Sequence, residues 1–196
     1  MLRSSLALSL PVLLLSACGT GAGGSVQAAQ PSPGCALAES YLLSFPVVQN
    51  GGPVLFSEND QGVAQEDGSL EWHDMAAEES QPKPIAGPPD ELISDLRASA
   101  GASAIKHCAN VRKILDGKGI RYGEDAVNSG SSSNATIFKF AILGISVPVI
   151  SRDGKEAVLV ESFYAGMLLG RGNITYLRRQ ADGTWKVIGE AMLWVS

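Results

Sequence analysis

Three short runs of residues have types and spacings that could do chemistry. Ser103-Ala104-Ile105-Lys106 sets a hydroxyl and an amine one helical turn apart, where the amine can lower the serine's hold on its proton and make it a nucleophile. Glu71-Trp72-His73-Asp74 places two carboxylates around an imidazole, the makings of an acid–base pair or of part of a metal site. Gly170-Arg171-Gly172 offers bare backbone beside a cation, as a phosphate loop does. Each run also has a plainer account. Ser103 stands where a helix should begin, and a serine there caps the helix and leaves Lys106 in solvent. No second histidine is spaced to join His73, and His107, beside Cys108, belongs to no motif. The glycine–arginine run lacks the Lys-Ser/Thr and the strand-to-helix setting of a phosphate loop, so a bulge or turn between strands accounts for it. The expectation is no catalytic residue, no metal ligand and no cofactor.

The Ser-x-x-Lys spacing is similar to that of serine β-lactamases and penicillin-binding enzymes. Neither Ser-Asp-Asn nor Lys-Thr-Gly accompanies it, and 196 residues are too few for that fold.

Leu15-Ser16-Ala17-Cys18 carries a stronger signal. It closes a segment that holds one cation, Arg3, and then runs apolar from Leu6 to Leu15, broken only by Ser9 and Pro11. That is the build of a secretory signal, too short to stay in a bilayer as a spanning helix. Its ending resembles the lipobox of bacterial lipoproteins, a likeness confined to residues 1–18. The resemblance implies that Cys18 takes a diacylglyceryl thioether, that the chain is cut before it, and that Cys18 becomes the acylated N-terminus. Gly19 in place of an aspartate implies, by likeness to Gram-negative lipoproteins, the outer membrane, with the domain facing the periplasm. Residues 1–17 are then the signal peptide. Residues 18–34 are the lipidated cysteine and an uncharged tether, GTGAGGSVQAAQPSPG, spanning about 20–25 Å. Residues 35–196 form one α+β domain. The membrane is a partner through the lipid, and another envelope protein is the expected second partner.

With Cys18 taken by lipid, Cys35 and Cys108 remain, one pair in a compartment where disulfides persist. Both fall on apolar stripes of expected helices. Cys35, Ala38, Leu42 and Phe45 share a face of a helix over about Pro33–Phe45, capped by Ser32 and stopped by Pro46. Ala104, Cys108, Val111 and Leu115 share a face of a helix over about Ser103–Leu115, with Gly117 at its stop. A Cys35–Cys108 disulfide is expected.

Charge divides the chain. From Cys35 to Asp95 there are twelve acids and one base; from Leu96 onward there are thirteen bases and eight acids. Packing of complementary halves accounts for this, and an acidic lobe meeting a cationic partner or calcium is the alternative. A net charge of −5 argues against nucleic acid as a partner. Much of the acid lies in residues 57–89, which have few branched apolar residues and a proline-rich end, the composition of a mobile acidic loop.

Before that loop, Asn50-Gly51-Gly52-Pro53 reads as the turn of a small hairpin joining Val47-Val48 to Val54-Leu55-Phe56. After it, Pro89 opens a helix with Leu92, Ile93 and Leu96 on its buried side. Asn128–Asn134 reads as a polar loop. The strands expected are Thr136–Leu143, Ser146–Ile150, Ala157–Tyr164, Asn173–Arg179 and Thr184–Val195, with Asp153-Gly154 and Asp182-Gly183 as tight turns. Helices gathered before an antiparallel meander make an α+β fold. The C-terminal block, with Asp182-Gly183, Trp185-Lys186-Val187 and Trp194-Val195-Ser196, resembles the ending of uncharacterised secreted bacterial proteins. It is also similar to the last strands of cystatin-like (nuclear-transport-factor-2-like) folds, which implies a cone-shaped sheet.

The connection around Met167, Leu168 and Leu169 is apolar where turns are normally polar. Either the strands run longer and Leu168 is core, or the tip is an exposed partner contact. Three functions fit the chain: a non-enzymatic binding or assembly module of the envelope, which leads, a small cell-wall enzyme, or a binder of a small hydrophobic ligand.

Overall fold

The computed structural model describes residues 32–63, 70–74, 83–130, 138–166 and 168–196. The described residues make one compact unit. The lipidation expected at Cys18 and the contact expected at Met167 lie outside the described residues.

The helices come first. Ser32 accepts a hydrogen bond from the Cys35 backbone N–H at 3.2 Å and starts α1, Pro33–Ser44. Phe45 is extended and ends it, as Pro46 requires of its predecessor. Pro46 then opens a second short helix, α2, Pro46–Asn50. The hairpin expected at Val47-Val48 is therefore absent. A proline fits the first turn of a helix as well as it stops one, and α2 takes that option. Its continuation, β1, Val54–Phe56, pairs in parallel with β4, Ala141–Ile145, not with a neighbour in sequence.

The stretch read as an acidic loop also gains structure. β2, Trp72–Asp74, pairs with the last strand of the sheet, and β3, Lys83–Pro84, pairs with β2. Low apolar content hid β2, because one side chain anchors it. Trp72 is buried and meets Tyr176 edge to face, ring centres 6.0 Å apart. α3, Asp90–Ala98, forms as expected, with Asp90 and Glu91 in its first turn, Arg97 in its last, and Leu92, Ile93 and Leu96 buried.

The helix expected over Ser103–Leu115 breaks into α4, Ala104–His107, and α5, Ala109–Gly117, around an extended Cys108. A continuous helix would bond the Ile105 and Lys106 carbonyls to backbone N–H groups one turn on. Here the Arg112 guanidinium donates to both, at 2.6 and 2.7 Å. α6, Glu124–Gly130, is an addition; with one buried alanine and no large apolar stripe it gives no helical period to read.

The strands of the C-terminal half are those expected, with shifted ends: β5, Val149–Ile150; β6, Glu156–Gly166; β7, Leu169–Arg179; β8, Trp185–Val195. The sheet order is β1-β4-β6-β7-β8-β2-β3, with β5 paired to β6. Apart from β1–β4 all pairs are antiparallel. Gly154 and Gly183 close the two Asp-Gly turns at φ of 71° and 86°, values open to glycine at little cost. The fold is α+β, helices mainly N-terminal and strands C-terminal.

Each face of the sheet carries its own apolar cluster. Ala157, Leu159 and Leu177 pack against Leu37 and Tyr41 of α1. Val158, Val160, Ile174, Tyr176 and Ala191 pack against Trp72 and the Leu92, Ile93, Leu96 side of α3. A third cluster gathers Leu42, Phe56, Cys108, Val111, Leu115 and Ile145. Cys35 and Cys108 are joined by a disulfide, Cα atoms 5.4 Å apart, bringing the first turn of α1 to the break between α4 and α5. Between the acidic and basic halves of the chain, Arg152 pairs with Glu91 at 2.7 Å on exposed surface.

Candidate functional site

Strand alternation sends every second residue of β6 to the α1 side of the sheet. Ala157 and Leu159 meet that helix, and the next residue on the same face is Glu161. Opposite it on β7 stands Asn173, and opposite Thr175 on β8 stands Glu190. The helix covers the apolar part of this face and leaves the polar part open. The result is a cavity of about 220 Å³, lined by Glu161, Arg171, Asn173 and Glu190 and walled by Phe45, Val47, Leu143 and Phe163.

The carboxylates are held in place. Glu161 Oε1 accepts hydrogen bonds from the Tyr41 hydroxyl and from Thr175 Oγ1, the latter at 2.6 Å. Glu190 Oε2 accepts from Asn173 Nδ2 at 3.0 Å. Burial pushes the Tyr41 phenol far above its ordinary value, and the nearby charge of Glu161 and the bond to it push the same way. Tyr41 therefore stays a donor. Glu190 is also raised, first by burial and then by the charge of Glu161, with Arg171 and the Asn173 bond opposing.

That shift has a measurable sign. A carboxyl that binds its proton more tightly when folded adds stability that is full below the unfolded carboxylate range and lost as pH rises through the folded value. Glu190→Gln, which keeps an acceptor for Asn173 without the charge, should raise Tm at neutral pH. The gain should shrink as the solution is made acidic. Thermal melts of both proteins from pH 4 to pH 8 check this; a variant that melts lower than the parent at neutral pH would disprove it.

Of the residues singled out for chemistry, Arg171 lines the cavity and His73 stands opposite Glu190 on β2; the others lie elsewhere. Ser103 is buried, accepts from the Lys106 N–H at 3.4 Å and caps α4, while its own N–H donates to Asp60 at 3.0 Å. Lys106 is exposed. His73 lies on β2 near the sheet margin, 3.9 Å from Glu71, and Trp72 between them points into the core. His107 is exposed at the end of α4. Among the described residues, no group of three His, Cys, Asp or Glu could hold a metal ion. Gly170-Arg171-Gly172 lies within β7, not at a turn between strands; the register shifts beside it place the extra residues on its neighbours, Ala165 on β6 and Leu193 on β8. A Cβ on Gly172 would stand 2.2 Å from Trp194 Nε1, and one on Gly170 would stand 2.8 Å from Tyr164 Cδ1. The two glycines make room for Trp194, whose ring lies 5.0 Å from that of Tyr164, while Arg171 points to the cavity on the other face.

The apolar connection is exposed. Leu168 is 80% and Leu169 56% accessible, so Leu168 is not core. Met192 at 64% and Val195 at 71% continue the apolar surface on β8, Val195 being paired with Arg171.

Fold and site together define an α+β module with a small, charged, apolar-walled cavity at the uncovered end of its sheet. No protein-family model, no curated protein and no solved structure matches this chain. Among the described residues, no helix is long and apolar enough to cross a membrane.

Proposed function

We propose that this chain is a non-enzymatic binding module of the bacterial cell envelope, held at a membrane by lipid on Cys18 and engaging an envelope protein through the open end of its sheet. The observation that supports this is the apolar surface made by Leu168, Leu169, Met192 and Val195. The interior already has three filled apolar clusters, so these side chains add nothing to the core, and grouped exposed apolar residues mark contact sites. A tether of uncharged, small residues after Cys18 suits a domain that must reach a partner near the membrane surface.

Leu168→Ser with Leu169→Ser should leave Tm within a degree or two of the parent, because neither side chain is buried. The same protein should lose its partner in crosslinking from intact envelopes. A fall of several kcal/mol, the scale of buried large-to-small changes, would show that the tip is structural. Full partner recovery at unchanged stability would move the contact elsewhere.

A further inference from the structure

We propose that the cavity under α1 and α2 binds a small zwitterion, with its ammonium group on Glu161 and Glu190, its carboxylate on Arg171 and an apolar body against Phe45, Val47 and Phe163. The cavity adjoins the apolar surface, Val195 standing opposite Arg171 and Met192 opposite Asn173, but recognition of the ligand rests on the charged groups and does not depend on the partner contact.

The acceptors come first. Glu161 takes both its hydrogen bonds on Oε1, and Glu190 takes its bond on Oε2. Each carboxylate is thus fixed by one oxygen and keeps the other for the cavity. An ammonium group brings three donors and matches such acceptors. The counter-charge comes second. Arg171 lines the same cavity and is felt by Glu190, yet no close ion pair with a described residue occupies its guanidinium. A simple amine would leave that guanidinium unused, and a simple carboxylate would meet two acids. A zwitterion satisfies both, and the planar guanidinium suits a carboxylate in particular. Size comes third. About 220 Å³ is below the roughly 300–1,000 Å³ of pockets for drug-sized ligands, so the occupant is of amino-acid size. The wall of Phe45, Val47, Leu143 and Phe163 favours one with an apolar side chain.

Binding is coupled to a proton. Burial and the charge of Glu161 make Glu190 hold a proton more tightly than a free carboxyl does, and an ammonium group seated between the two acids weakens that hold. The groups facing Glu190 are Glu161 from β6, Arg171 from β7, the Tyr41 hydroxyl from α1 and His73, its cross-strand partner on β2; α2 contributes no titratable side chain. Affinity should therefore fall as pH falls.

The test is calorimetric titration of the mature chain with D and L forms of alanine, leucine and phenylalanine, with leucinamide, and with 4-methylpentanoate. At least one zwitterion should bind, with leucinamide and 4-methylpentanoate each at least tenfold weaker than leucine. Proton release should appear as a dependence of the heat on buffer. Glu190→Gln should abolish binding of the zwitterion. Arg171→Met, at an exposed position, should bring leucine down to the affinity of leucinamide. Absence of binding by every zwitterion up to its solubility limit would overturn the proposal. So would leucinamide or 4-methylpentanoate binding the parent as tightly as leucine, or Arg171→Met leaving leucine binding unchanged while Tm is unchanged.

Discussion

Breaking the Cys35–Cys108 disulfide should cost roughly 4 kcal/mol of stability, the chain-entropy value for a closed loop of this length. The two residues are 73 apart in sequence, so the bond removes a large set of open conformations from the unfolded chain. Its folded-state partners add to the effect. Cys108 sits at an extended break between two short helices, which neither helix would fix alone, and both sulfurs lie in the cluster with Leu42, Val111 and Leu115. Domains of this size are stable by about 5–15 kcal/mol, so the loss is a large share. Urea unfolding of the oxidised protein, the reduced protein and Cys35→Ala/Cys108→Ala should show both altered forms unfolding at clearly lower denaturant. Two free thiols in the native oxidised protein, or coincident unfolding curves, would refute the expectation.

The second large effect is on anchoring. On the lipoprotein reading proposed above, Cys18→Ala should stop incorporation of a fatty-acid analogue entirely and leave the uncut precursor, because in lipoproteins the thioether on that sulfur is both the attachment and the condition for cleavage. The uncut precursor keeps the apolar run from Leu6 to Leu15, so loss of label and of processing, rather than release from the membrane fraction, is the readout. Labelled, processed protein in the Cys18→Ala strain would end the lipoprotein reading. It would leave the cavity and the tip untouched as binding surfaces.

Much of the architecture was legible where local signals agreed. Ser32 before Pro33 marked the start of α1. The leucine–isoleucine spacing after Asp90 marked α3, and two Asp-Gly pairs marked turns of the meander. Where the structure departed, a tertiary interaction had overridden a local one. The apolar stripe from Ala104 to Leu115 runs on through the break at Cys108, so periodicity could not show that Arg112 and the disulfide divide the helix. β1 finds its partner far along the chain in β4, and β2 exists because Trp72 reaches Tyr176; neither pairing is local.

The site was less legible than the fold. The motifs that drew notice were compact in sequence, Ser103 to Lys106, Glu71 to Asp74 and Gly170 to Gly172, whereas the cavity takes one or two polar residues from each of three strands, Arg171 alone coming from a run that drew notice. A signal was present nonetheless. Glu161 follows Ala157-Val158-Leu159-Val160, a run buried on both faces of the sheet. An acid there needs partners, and Tyr41, Thr175 and the pairing of Asn173 with Glu190 are what it finds.

The floor of the cavity and most of its wall have different origins in the chain. Glu161, Arg171, Asn173 and Glu190, with Phe163 of the wall, lie within residues 161–190 of one meander, whereas Phe45 and Val47 come from the α1–α2 corner and Leu143 from β4. Preference for charge and preference for size are thus written in separable segments. Exchange at Phe45 or Val47 can widen or narrow the space while the carboxylates and the guanidinium stay fixed on their strands. A family built on this scaffold could diversify what it accepts through a few helix-corner positions, and the meander would pass from member to member as a constant cassette.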